Sequence, residues 1–132
     1  MKKFYQFEWH GIHFNTFSKI SRNHLPDSNF YDKFYSEFFN RFKSYDDLDQ
    51  GWVIYKKRIA EYLSKIIGKN SKVLSIGSGI GIVEKYLFEI TKNENISAIE
   101  PSENACKWIK DHPYITTIYG YFPECLIEKK RI

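Results

Sequence analysis

The residues best placed to do chemistry lie between Lys72 and Leu87, in KVLSIGSGIGIVEKYL, and at Glu100. Gly77, Gly79 and Gly81 stand at alternate positions, with Ser78 among them. Glycines adopt backbone angles that a Cβ forbids and let the main chain approach a ligand closely. Val73, Leu74 and Ile76 precede them in an apolar run too short for a helix, which reads as a strand buried on both faces of a parallel sheet. Ile82, Val83, Tyr86, Leu87 and Ile90 follow at three- and four-residue spacing and predict a helix with one stripe against that sheet. Strand, glycine bend and helix open a nucleotide-binding α/β unit, and the helix points free N–H groups at whatever the bend holds.

The spacing narrows the ligand. A dinucleotide fingerprint is G-x-G-x-x-G, whereas this chain has G-x-G-x-G with Ile82 where the last glycine belongs, which weakens an NAD-dependent oxidoreductase to a third reading. No lysine follows the glycines before Lys85, so a P-loop fails. In NISAIEPSENA, Ile96, Ala98 and Ile99 predict a second buried strand that ends at Glu100, near the interval expected for a carboxylate that hydrogen-bonds ribose hydroxyls.

VLSIGSGIG resembles motif I of the class I S-adenosylmethionine-dependent methyltransferases, V-L-D/E-I-G-x-G-x-G. The resemblance implies S-adenosylmethionine as cofactor, with Gly77, Ser78, Gly79 and Gly81 bordering its methionine and ribose parts. It also implies Glu100 at the ribose, and Ser75, Pro101, Tyr121 and Phe122 as further cofactor-binding residues. Ser75 replaces an acid that in relatives helps hold the cofactor's ammonium group. Tyr121 replaces an aspartate that often follows the glycine after the third strand, here YITTIY and Gly120. SNFYDKFYSEFF resembles an N-terminal helix that closes over the cofactor in many small-molecule methyltransferases, which implies Tyr31 as a lid residue. Methyl transfer to a small-molecule or sugar acceptor is the activity implied. The candidates for a general base are His24, His112 and Tyr31, and none is singled out. A non-catalytic, methyltransferase-like module that binds a partner protein is the alternative, suggested by Ser75, Tyr121 and a missing second half.

That half matters physically. The resemblance covers Ser71 to Pro123, and the family's full fold carries further strands beyond the third, one of which pairs with the free side of the first. Without it strand 73–76 has an unpaired edge, which invites aggregation unless covered. The segment 4–17, a neighbouring chain in a homo-oligomer, or a C-terminal portion of a longer enzyme are the three covers expected, and truncation leads.

The elements that position these residues are read in order. Residues 4–17 predict a hairpin turning at His10-Gly11, with His10 and His13 as packed or surface histidines and no metal site completed around them. Leu25-Pro26 marks a boundary; Asp27 or Ser28 caps a helix whose wide face carries Phe30, Tyr31, Phe34, Tyr35, Phe38, Phe39 and Phe42. Asp46, Asp47 and Asp49 belong to a solvated loop and a helix cap. A second helix spans 52–67, with a stripe of Trp52, Tyr55, Ile59, Tyr62, Leu63, Ile66 and Ile67, and ends at Gly68 as C-cap. Pro101 and Ser102 open a helix carrying Ala105, Trp108 and Ile109, closed by His112-Pro113.

The fold class is therefore α/β: a Rossmann-like parallel sheet, a partial class I methyltransferase fold by resemblance, preceded by an aromatic-rich, mainly helical segment. Residues 1–70 form that lid-like segment, packed on the same domain, and 71–132 the cofactor-binding part. With 132 residues, 42% of them hydrophobic and 27% charged, the chain is one globular domain. Its net charge of +4 is scattered along the chain, and the run Lys129, Lys130 and Arg131 reads as a solvated tail, so no nucleic-acid partner is expected. Cys106 and Cys125 fit no metal or redox spacing and read as buried or half-buried thiols in a reducing, cytoplasmic setting. No apolar run is long enough for a membrane span.

Overall fold

The computed structural model describes residues 8–13 and 28–129. β1 (Glu8–Trp9) and β2 (Ile12–His13) form an antiparallel hairpin. His10 and Gly11 both have positive φ, the tight turn expected there. The Gly11 N–H donates to Glu8 Oε2 at 2.7 Å, and Arg41 Nη1 donates to the His10 carbonyl at 3.2 Å. The His10 ring meets Phe38, Phe42 and Trp52 edge-on, so it is a packed histidine, and burial lowers its pKa. The rest of the 4–17 segment, His24 and Asp27 lie outside the described residues.

α1 (Ser28–Arg41) buries Phe34, Tyr35 and Phe38. They share one cluster with Ile12, Leu48, Val53, Ile80, Ile82 and Ala105, so the aromatic helix packs onto the glycine bend itself. A 3-10 turn (Tyr45–Asp47) follows, in which Asp47 Oδ2 accepts from the backbone N–H groups of Lys43 and Ser44. Asp49 then caps α2 (Gln50–Ser64) by accepting from Trp52 N at 2.9 Å.

α2 departs from expectation twice. Its core side is Val53 and Ala60, with Trp52, Lys56, Ile59, Leu63 and Ile67 half-buried, while Tyr55, Tyr62 and Ile66 are exposed. Of the stripe read from spacing, Trp52, Leu63 and Ile67 pack against the core, whereas Tyr55, Tyr62 and Ile66 face solvent. The small Ala60 lets α2 sit close on α3 and the sheet, and apolar periodicity alone does not say which of two overlapping faces packs. The helix also ends at Ser64 with Lys65 as cap rather than running to Gly68, whose φ is not positive.

β3 (Val73–Ile76), β4 (Ile96–Glu100) and β5 (Ile115–Tyr119) form one parallel sheet in the order β3-β4-β5. The register aligns Val73 with Ile96 and Ile115, and Glu100 with Tyr119. α3 (Ile82–Thr91) and α4 (Glu103–Lys110) make the crossovers, and Leu87, Ile96, Ala98, Ile109 and Ile115 form the core beneath them with Ala60. Ile90, placed on the α3 stripe by spacing, is exposed in the last turn. α5 (Glu124–Lys129), not foreseen from the sequence, covers the other face over Ile99 and Ile118 through Cys125 and Leu126. Both cysteines are free and buried.

The first strand is not buried on both faces. Leu74 is 45% and Ile76 56% exposed, because β3 is an edge strand and α5 reaches only β4 and β5. Among the described residues nothing pairs with its outer edge, and the hairpin packs on α1 instead.

Asn93 fixes the entry to the sheet. Fully buried, it donates from Nδ2 to the carbonyls of Gly68 and Ser71, both at 2.7 Å, and accepts from Asn95 N at 2.7 Å. Asn93→Ala leaves these groups unsatisfied and is expected to destabilise the fold by about 1–3 kcal/mol, read as a lower urea midpoint with unchanged slope.

Candidate functional site

The carboxyl ends of three parallel strands converge on the bend between β3 and α3, where ligands bind in open α/β sheets. Gly77, Gly79 and Gly81 all have positive φ. The N–H groups of Gly77 and Ser78 donate to the Ile99 carbonyl at 2.8 and 3.3 Å, tying the bend to β4. A Cβ at Gly77 would meet nothing within 4 Å, so the main chain there faces open space. The Tyr45 hydroxyl donates to the Ile80 carbonyl at 2.5 Å and braces the bend from the 3-10 turn.

The carboxylate of Glu100, at the end of β4, points into the bend and accepts from Gly79 N at 3.3 Å. It is only 4% exposed. Burial raises its pKa to about 7 against the pull of the Gly79 and Ser102 N–H groups, and the negative charge of Glu84 adds to the rise. The two features separated in sequence are thus adjacent in space.

Two residues at the site were not singled out in the sequence. Tyr35 on α1 brings its hydroxyl to 2.8 Å from where a Gly79 Cβ would stand. Burial, then the charge of Glu100, raises its pKa. Tyr31, the expected lid residue, lies one helical turn earlier and is partly exposed. Glu84, in the first turn of α3, is 7% exposed and accepts from Ser75 Oγ at 2.5 Å through Oε1. A carboxylate therefore does adjoin Ser75, delivered by the helix rather than the strand. In sequence Glu84 looks like an ordinary helix-start acid; Tyr35 is one of seven aromatics on one face, and spacing does not say which touches the bend.

Polar atoms at the bend remain unsatisfied. Ser78 Oγ and Glu84 Oε2 are both buried without a hydrogen-bond partner. Tyr121 and Phe122, just past β5, are half exposed, and Gly120 N donates to the Glu100 carbonyl at 3.1 Å, so both rings follow directly from the Glu100 strand end. Pro101 leads into the α4 cap, where Ser102 Oγ accepts from Ala105 N. Asp32 ties α1 to that cap: its Oδ1 accepts from Ser102 Oγ and Asn104 N, both at 3.0 Å.

Other candidates fall elsewhere. His112 lies at the start of β5, the end of the sheet opposite the bend, with its Nδ1 accepting from Tyr114 N and its ring against Phe88. It is not placed to serve as a base at the bend. A hollow of about 380 Å³ also sits at that opposite end, lined by Lys72, Leu74, Ser97 and Thr116 among others. Among the described residues no group of His, Cys, Asp or Glu is arranged to hold a metal ion, and no helix is long and apolar enough to cross a membrane.

Fold and site together define a small α/β domain with a three-stranded parallel sheet, compatible with a Rossmann-like arrangement, in which an acidic residue faces a glycine bend. No protein-family model matches the chain, and no curated protein matches it.

Proposed function

We propose that the chain binds S-adenosylmethionine at the glycine bend and is the cofactor-binding part of a methyltransferase. The observation that carries this reading is the Glu100 carboxylate aimed at Gly79 N, at the carboxyl end of the strand next to the bend. Residues and ligand suit each other. Gly77 faces open space, Ser78 Oγ and Glu84 Oε2 lack partners, and two aromatic rings stand free at the end of β5.

Once bound, the cofactor supplies a methyl carbon on a sulfonium, open to in-line displacement by an acceptor oxygen, nitrogen or carbon. The chain's part is positioning. Glu100 accepts from the ribose hydroxyls, the Gly77–Gly79 backbone permits close approach, and Tyr121 and Phe122 offer faces to the adenine. α1 closes the site through Tyr35 and Tyr31. A small molecule or sugar is the class of acceptor this reading carries. The bare edge of β3, with Leu74 and Ile76 exposed beside it, fits a further strand of a longer enzyme or a second copy of the chain.

Calorimetric titration tests the reading. Saturable micromolar binding is expected, weakened about 10- to 100-fold by Glu100→Ala, as loss of a hydrogen bond to a charged group predicts. No heat at millimolar ligand would leave the alternative, a non-catalytic module that binds a partner protein. The Tyr35 hydroxyl, 2.8 Å from where a Gly79 Cβ would stand, narrows the bend and favours that second reading.

A further inference from the structure

A buried carboxylate with one oxygen unpartnered is costly unless something occupies it. Glu84 is such a group. Its Oε1 is held by Ser75 Oγ at 2.5 Å, and its Oε2 is sealed from solvent with no partner. The groups that bear on it are Ser75 from β3, Lys56 from α2, Tyr45 from the 3-10 turn and Glu100 from β4. None forms an ion pair with it; among the described residues the only close ion pair joins Lys85 to Glu89. The neighbouring Ser78 Oγ on the bend is unpartnered too. Two carboxylates and an idle hydroxyl thus gather at the start of α3 without a close positive charge.

We propose that Glu84 supplies the carboxylate that receives the ammonium group of the bound ligand's amino-acid end, in place of the acid that β3 lacks at Ser75. This rests on the function proposed above and names the residue that anchors one end of that ligand. Ser75 is a positioning residue: its hydroxyl donates to Oε1 and leaves Oε2 as the oxygen without a partner. Burial raises the pKa of Glu84, and an incoming ammonium favours its ionised form.

The test uses the full chain, Glu84→Gln, and three ligands in calorimetry. S-adenosylmethionine carries ammonium and sulfonium, S-adenosylhomocysteine the ammonium alone, and 5′-methylthioadenosine neither. Glu84→Gln is expected to weaken the first two by about tenfold or more and to leave the third within about twofold. Equal weakening of all three, or of none, overturns the proposal, and so does weakening confined to S-adenosylmethionine, which would assign the carboxylate to the sulfonium. If the unaltered chain binds none of the three, the functional reading itself fails and the proposal falls with it. Ser75→Asp combined with Glu84→Gln returns a carboxylate to the same place and is expected to recover affinity for S-adenosylhomocysteine. That pair decides the matter should Glu84→Gln alone not fold, since failure to recover overturns the assignment.

Discussion

Gly81→Ala is expected to destabilise the fold by about 2–5 kcal/mol, the sum of left-handed strain at a non-glycine residue and of overpacking in a filled core. Gly81 has a φ of 73° and caps α3. A Cβ built there falls 2.4 Å from both Cγ1 and Cδ1 of Ile109, whose side chain is itself fully enclosed between α4 and the sheet. Neither partner has room to move, because Ile109 is packed among Leu87, Ile96 and Ala98. Urea unfolding measures the effect, and Gly68→Ala is the control. Gly68 has no heavy atom within 4 Å of its Cβ position and no positive φ, so alanine there is expected to be neutral or to stabilise by less than about 1 kcal/mol. Equal costs at the two positions would mean that the bend is not packed against α4 in solution.

The second large effect is a dependence of stability on pH that runs opposite to that of most carboxylates. In the folded chain Glu100 holds its proton up to about pH 7, whereas the ordinary value of 4.5 applies once it is unfolded. Between those values the folded state binds more protons than the unfolded one, so stability falls as pH rises. The difference corresponds to roughly 3 kcal/mol, fully developed above pH 7 and absent below about pH 4.5. Glu100→Gln keeps an acceptor for Gly79 N and has no charge to desolvate. It is expected to match the unaltered chain near pH 4.5 and to exceed it by that amount at pH 8, in parallel denaturant titrations. A gap that shrinks with rising pH would show that the ionised carboxylate is well stabilised at the bend, contrary to its burial. The same variant should lose ligand affinity while gaining stability, which separates binding from fold integrity in one measurement.

Much of this was legible in the chain because it is local. The apolar runs ending at Ile76 and Glu100 are too short and too β-branched for helices, and three alternate glycines cannot continue either element, so strand, bend and helix follow from backbone sterics. The hairpin turn at His10-Gly11 and the Asp49 and Ser102 caps were readable for the same reason. The pairing of Glu100 with the bend was also within reach, since a crossover of one helix returns the chain to the neighbouring strand.

Tertiary structure alone decided the rest. Which face of α2 packs was set by the small Ala60 against α3, so Tyr55, Tyr62 and Ile66 of the expected stripe face solvent while Trp52, Leu63 and Ile67 pack inward. Leu74 and Ile76 are exposed because nothing described covers the outer half of β3, which no property of those two residues encodes. Tyr35 rather than another α1 aromatic reaches Gly79, and Glu84 rather than a β3 side chain brings an acid to Ser75. Helical and strand periods are properties of a few neighbouring residues and can be read along the chain. Contacts between side chains far apart in sequence depend on the angle and depth at which whole elements dock, and those are fixed only when all of them pack at once.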